Sequence, residues 1–268
     1  MGTGRGRDRG TGSGTTTAAG RMAAMARAEL TLLSRTKATL AAAVFVPLTL
    51  PFSLRGTVDQ MDLKGTGLSV GSVIVSSSVG FSLLFAVYCS LVSVYAARRE
   101  ELVLKRLRTG ELRDAEILAG AALPSVAIGL VQCLVLTVGC AALLDIGAPE
   151  APHFAILGLL LGLAMWPPLA AVTANFSKSV EGAQVAAMPL MLLSLIGSGT
   201  FIPLQLMPDG LASACELLPL TPVITLIRGG WTGGLSAHDA LGALATAVAW
   251  TVLAVFAVRR WFRWEPRR

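Results

Sequence analysis

The sequence predicts an all-α membrane protein built from six transmembrane helices, and three observations lead there. First, 54% of the 268 residues are hydrophobic and only 14% are charged, with a mean hydropathy of +0.68. Soluble domains carry about 25% charged residues, so the chain has too little polar surface to coat a globule and its solvent is lipid. Second, the apolar residues fall in runs close to the ~20 residues that cross a bilayer core. Third, the basic residues gather in alternate gaps between those runs. The formal charge is +6, but this spacing is the pattern of membrane topology, not of a nucleic-acid-binding stripe.

In chain order, residues 1–20 are rich in Gly, Thr and Arg and are expected to be a disordered tail without the apolar core of a signal peptide. Met22 and Met25 offer alternative translation starts. Residues 21–35 fit an amphipathic helix lying in the membrane interface. Met22, Ala26, Leu30 and Leu33 share one face, while Arg27, Thr31 and Arg35 point away. Glu29 falls on the apolar face, where it either meets a basic partner or snorkels to the interface. Residues 36–54 form the first span, with Pro47 and Pro51 near its outer end, and 55–68 form a short polar loop.

The second span covers 69–97 and opens with Ser76, Ser77 and Ser78, small residues that favour close helix packing or line a substrate path. The third covers 117–144, with Pro124 near its start and Gln132 near its middle. An amide at that depth needs protein partners. The fourth, 154–175, carries the Gly158/Gly162 pair, Pro167 and Pro168, and ends at Asn175. A short charged turn at 176–183 leads to the fifth span, 184–201, which contains Ser194 and Ser198. Residues 202–237 are apolar but broken by Pro203, Pro208, Pro219 and Pro222, so short, broken re-entrant helices are expected between spans five and six. The sixth span, 238–258, is followed by a basic aromatic stretch in which Trp261 and Trp264 suit the interfacial belt. The membrane domain thus runs over 21–262, and 263–268 form a cytoplasmic tail.

With the amino terminus inside, nineteen Lys and Arg residues fall on the cytoplasmic side, including the amino-terminal group through Lys37. Only Arg55, Lys64 and Arg228 fall outside. That bias predicts six spans with both termini in the cytoplasm. The largest charged loop is Arg98 to Glu116, which packs six basic and five acidic residues into nineteen positions.

Chemistry of its own is not written into the chain. No lysine sits in a P-loop, and H-E-x-x-H does not occur. His153 and His238 stand apart near the outer edges, and no metal site is expected. Cys89, Cys133, Cys140 and Cys215 lack ligand spacing and are read as small core residues. The Glu100–Glu101 pair resembles the motif of CAAX-type intramembrane proteases, but the histidines those need within later spans are missing. No Asp or Glu lies at mid-membrane, against proton or sodium coupling. Neither catalytic residues nor cofactor-binding residues are expected, and the energy for any transport must come from a partner.

Three features resemble the permease subunits of the type-2 family of ATP-binding-cassette exporters. They are the amphipathic stretch Arg21 to Arg35, the loop R-R-E-x-x-x-L-K-R-L-R-T-G-E-L-x-x-x-E-I-L-A-G after span two, and F-I-P-L-x-x-M-P after span five, followed by L-L-P-L-T-P and I-R-G. The likeness covers about residues 21–262. It departs at Gly110 and Glu111, where family members commonly carry a proline-containing segment, so the start of the coupling helix is left open there. The resemblance implies two permease chains, identical or different, forming a pore above two ATPase subunits that bind the ATP. Coupling would fall on Leu107, Arg108, Glu111, Leu112, Arg113, Asp114 and Glu116. The basic half of the loop, Arg98 to Arg108, doubles as a topology anchor. Candidate pathway residues are Ser76, Ser77, Gln132, Asn175, Ser194 and Ser198. Short outer loops favour drug, antibiotic or other small amphipathic cargo, and the Arg-, Ala- and Gly-rich composition favours a bacterial plasma membrane. The alternative is a membrane immunity or scaffold protein that transports nothing.

Overall fold

The computed structural model describes residues 67–104, 113–143 and 146–262, together with Gly56 and Trp264. The expectations for the tail, for the interfacial helix with Glu29, for the span 36–54, and for Leu107, Arg108, Glu111 and Leu112 lie outside these residues. Every regular element among those described is helical.

Helix α1 runs from Val70 to Glu100 and is the centre of the bundle. Ser69 starts it with a reciprocal cap: its hydroxyl accepts from Ser72 N at 3.1 Å, and Ser72 Oγ accepts from Ser69 N at 3.2 Å. Of its most apolar stretch 83% is buried inside the chain, so its neighbours are helices and not lipid. Between Leu83 and Cys89 the helix widens into a π segment, an irregularity that must be held by side chains from outside it. Tyr88, within that segment, stacks at 5.1 Å on Trp166 and shares a 3.0 Å hydrogen bond with Thr173.

Helix α2 (Asp114–Leu143) and helix α3 (Pro152–Ala174) pack on α1. α3 continues through Pro167 and Pro168 as one helix. Helix α4 spans Val180–Gly197. The turn before it is shorter than the sequence suggests, because Ser179 Oγ accepts from Gly182 N at 3.2 Å and caps the helix at once. Residues 180–183, expected in the turn, are therefore the first turn of α4. At its other end α4 stops at Gly197, four residues short of the expected 201, because Gly199 adopts φ +77° and reverses the chain.

The proline-broken region forms a short 3₁₀ turn at Leu204–Leu206, then helix α5 (Asp209–Glu216) and helix α6 (Thr221–Thr232), bent by 102° relative to one another. Helix α7 (Ala237–Trp261) lies at the edge, with only 11% of its apolar stretch buried. Leu241, Val248, Val252, Leu253 and Phe256 stand exposed along it, as do Val131, Leu134, Val135 and Val138 on α2. Apolar rows of this kind suit hydrocarbon or a second membrane chain. Among the described residues there are thus five helices long and apolar enough to cross a bilayer, or six if α5 and α6 make one span.

The closest packing joins α3 to α6. A Cβ on Gly158 would stand 3.0 Å from Leu226 Cβ and 3.1 Å from the Val223 carbonyl, and one on Gly162 would stand 2.7 Å from Leu83 Cδ1. The Gly158/Gly162 pair is therefore a true contact face. At the end of the same seam a Cβ on Gly230 would meet the Ala155 backbone nitrogen at 2.7 Å, while Gly230 O accepts from Ala151 N at 2.9 Å. Backbone cannot rotate aside. Gly230→Ala is expected to lower the unfolding free energy in mixed micelles by about 1–3 kcal/mol. Gly242→Ala, on α7 with open space around it, is expected to be neutral or stabilising by up to about 1 kcal/mol. Equal behaviour of the two variants in an SDS titration would contradict the packing described.

Candidate functional site

The two ends of the bundle differ in their cations, although the end that holds most of them also holds Glu100, Glu101, Asp114, Glu116 and Glu181. At one end lie Arg98, Arg99, Arg113, Lys178, Arg259 and Arg260, contributed by the end of α1, the start of α2, the α3–α4 turn and the end of α7. At the other end lie Glu150, Asp209, Glu216 and Asp239, with His153 and His238. Among the described residues Arg228 is the one cation at this acidic end.

The basic end is closed by specific contacts. Arg99 is buried, with 2% of its surface exposed, and its Nη2 donates to the Ser177 carbonyl in the α3–α4 turn. Ser177 Oγ donates to the Ser179 carbonyl at 2.7 Å, which shapes that turn. Asn175 Nδ2 donates to the Trp261 carbonyl at 3.1 Å and ties the turn to the end of α7. Tyr95 OH donates to the Leu118 carbonyl at 3.1 Å and fixes α2 against α1. Of the residues expected to meet an ATPase, three are described. Arg113 N donates to Glu116 Oε2 at 3.1 Å, and Asp114 and Glu116 occupy the first turn of α2. That is how a helix start is stabilised, since carboxylates satisfy free N–H groups and oppose the dipole. Arg113 and Asp114 remain exposed. They border a cavity of about 650 Å³ whose walls include Pro167 and Pro168 of α3, Arg259 of α7 and Trp264.

At the acidic end, the serine-rich start of α1 meets the α4–α5 connection and α6. Ser77 Oγ donates to the Thr200 carbonyl at 2.5 Å. Ser78 Oγ donates to its own helix at Ile74 O, 2.6 Å away. Ser76 Oγ donates to Val73 O at 3.0 Å and accepts from Arg228 Nε at 3.3 Å. Arg228 Nη2 donates to the Gly199 carbonyl at 2.8 Å, so the guanidinium sits where α4 leaves its last carbonyls free. Ser198 and Thr200 share a hydrogen bond of 2.7 Å between their hydroxyls. Arg228, Ser198, Gln205, Thr225 and Asp239 border a cavity of about 180 Å³.

The six expected pathway residues are all buried, but they do not form one path. Ser76, Ser77 and Ser198 come together around Arg228. Asn175 lies at the opposite end, beside a cavity of about 580 Å³ bounded by Trp261 and Phe262. Gln132 is buried on α2, and Ser194 on α4 has no hydrogen-bond partner for its hydroxyl among the described residues. What sequence reasoning missed is Arg228 itself, read there as an outer-loop charge. The signal was present, since V-I-T-L-I-R-G-G-W places an arginine inside an apolar run. Arg99 was likewise read as a solvated topology anchor, whereas its side chain is a buried clamp.

A comparison with curated proteins returns no match. A scan against family models matches residues 21–231 to the one described as ABC-2 type transporter. That match reaches from the region ahead of the expected first span through α1 to the last turn of α6, and so includes the charged loop, the α3–α6 seam and Arg228. On it, this membrane protein belongs to the ABC-2 type transporter family.

Proposed function

We propose that the chain is the membrane-spanning permease subunit of an ATP-driven exporter, working with a separate ATPase that docks on the loop 98–116. The observation that carries this reading is the gathering of Lys and Arg at one end of a bundle that belongs to the ABC-2 type transporter family. By the positive-inside rule the end holding Arg99, Arg113, Lys178 and Arg259 faces the cytoplasm, which puts both termini inside once 36–54 is counted as the first of six spans. The loop then projects toward the compartment where ATP is found. Arg113, Asp114 and Glu116 lie at its exit into α2, and Leu107, Arg108, Glu111 and Leu112 supply the rest of the docking surface.

In this reading the ATPase brings the nucleotide and the chain brings the path. The exposed apolar rows on α2 and α7 fit lipid together with a second permease chain, identical or homologous, across which the path is completed. The amphipathic stretch 21–35 lies in the cytoplasmic interface, with Glu29 turned toward protein. The cargo class is small amphipathic molecules such as drugs or antibiotics, moved outward across a bacterial plasma membrane.

Two experiments test the reading. With the four native cysteines replaced, Gly110→Cys is expected to react with a membrane-impermeant maleimide only after the cells are opened. Labelling from outside intact cells contradicts the orientation. Replacing Leu107, Arg108, Leu112 and Arg113 together by alanine is expected to abolish co-purification with the partner ATPase, and to reduce ATP-dependent export at least tenfold, which is a loss of about 1.4 kcal/mol or more in coupling. Full binding and export by that variant contradict docking at this loop. A chain that recruits no ATPase at all is left with the immunity or scaffold role.

A further inference from the structure

Arg228 is 5% exposed as a residue, yet among the described residues its guanidinium has only two hydrogen-bond partners, Ser76 Oγ and the Gly199 carbonyl, and no carboxylate. Both partners are neutral. Nη1 makes no hydrogen bond to a described residue, and the side chain borders the cavity of about 180 Å³ with Ser198 and Thr225. A buried, uncompensated charge is expensive, and an arginine fork is matched in shape by a carboxylate or a phosphate. From this we propose that Arg228 forms an anion subsite for the acidic headgroup of an amphiphile, at the non-cytoplasmic end of the chain.

The dimensions fit a headgroup. At the roughly 30 Å³ that a water occupies in the liquid, the cavity holds about six waters' volume, enough for a phosphate or carboxylate with the first atoms of its stem. A second cavity of about 430 Å³ shares Leu204, Gln205, Thr225, Leu235 and Asp239 with the first and adds apolar walls from Leu217 and Ala243. The headgroup pocket therefore opens onto space of mixed character, in which Leu204, Leu217, Leu235 and Ala243 offer an apolar strip beside Glu216 and His238. Asp239 stands exposed where the two cavities meet, with its carboxylate accepting from Ser236 Oγ at 2.7 Å. Its negative charge opposes an incoming anion and sets the upper limit of the affinity. A purely structural role, in which Arg228 only caps α4, leaves Nη1 and the cavity without a purpose.

The subsite deepens the permease reading by giving its cargo an acidic group, but it is tested without an ATPase, so the two fail separately. The full chain is purified in neutral detergent and titrated with octyl phosphate and with octanoate, with octyl glucoside and octyltrimethylammonium as controls. One saturable site for the two anions, with no competition from the controls, is expected. Arg228→Gln is expected to weaken it more than tenfold, Arg228→Lys less than tenfold, and Asp239→Asn to tighten it about threefold. Native mass spectrometry separates the sources. An anionic phospholipid retained by the wild type and lost in Arg228→Gln assigns the site to a resident lipid headgroup, whereas an empty site that octyl phosphate fills assigns it to cargo. If Arg228→Gln does not fold, the anion selectivity of the wild type and the gain in Asp239→Asn decide. Equal affinity for anions and controls overturns the subsite. So does anion binding that is absent from the wild type and appears only in Asp59→Asn or Asp62→Asn, acidic residues of the 55–68 loop, since that identifies an internal ion pair.

Discussion

In a bundle solvated by hydrocarbon, every helix end frees carbonyls that the surroundings cannot satisfy. This chain meets the constraint by sending a side chain from a different element to the carbonyl at nearly every break. Gln184 of α4 reaches the Cys89 carbonyl, where the π segment of α1 closes, at 3.1 Å. Arg228 of α6 and Ser77 of α1 take the Gly199 and Thr200 carbonyls beyond α4. Trp250 of α7 donates to the Leu217 carbonyl after α5 at 2.8 Å, and Thr221 donates to the Cys215 carbonyl within the same bend at 2.5 Å. Asn175 and Arg99 do the same at the basic end. A charged donor makes a stronger bond to a carbonyl than a neutral one does, and the two buried arginines sit at the α3–α4 turn and at the chain reversal beyond α4.

Those same bonds bring the helices together. Apolar side chains gain little by leaving lipid for one another, so packing in membranes rests on close fit and on hydrogen bonds. The close fit here comes from Gly158, Gly162 and Gly230 between α3 and α6. The hydrogen bonds come from polar residues that cap a neighbour's break. α7 shows what happens where both are scarce. It has few buried residues and two capping bonds, through Trp250 and through its terminal carbonyl, and it is the helix most open to lipid or to another chain.

Much of the fold was legible because hydropathy and length carry it. The helices at 70–100, 114–143, 152–174 and 237–261 begin and end within three residues of where the apolar runs place them. The start of α4 was missed because Ser179 reads equally as a turn residue and as a cap. That Gln132 faces protein followed from the cost of a bare polar group in lipid, but which residues meet Ser76, Ser77 and Asn175 did not. Asn175 finds Trp261 86 positions away, Ser77 finds Thr200 123 away, and Ser76 finds Arg228 152 away. No local pattern encodes separations of that size. The acidic-end cluster was hidden for a further reason. An arginine counts the same toward topology whether its head is in water or buried, so Arg228 satisfied the charge bias while concealing its environment.

The placement of the two arginine clamps on α1 ties the ends of the chain to each other. Ser76, which receives Arg228, and Arg99, which holds the α3–α4 turn, lie 23 positions apart on one helix. At 1.5 Å per residue that is about 35 Å, the thickness of a bilayer core and its inner interface. A regular helix transmits axial displacement over that length almost unchanged. The exception in α1 is the π segment at Leu83–Cys89, midway between the clamps, where the backbone carries one extra residue in its turn. Tyr88 and the Cys89 carbonyl fix that turn to α3 and α4 through Thr173 and Gln184. Under the proposed coupling, a displacement of the charged loop would reach the acidic end by one of two routes. Either α1 moves as a rod and carries Ser76 away from Arg228, or the π turn shifts and Tyr88 and Gln184 change partners while Ser76 stays. The π turn departs from the regular α-helical bond pattern and is for that reason the softer of the two routes, and the bonds at Thr173 and Gln184 are what restrain it.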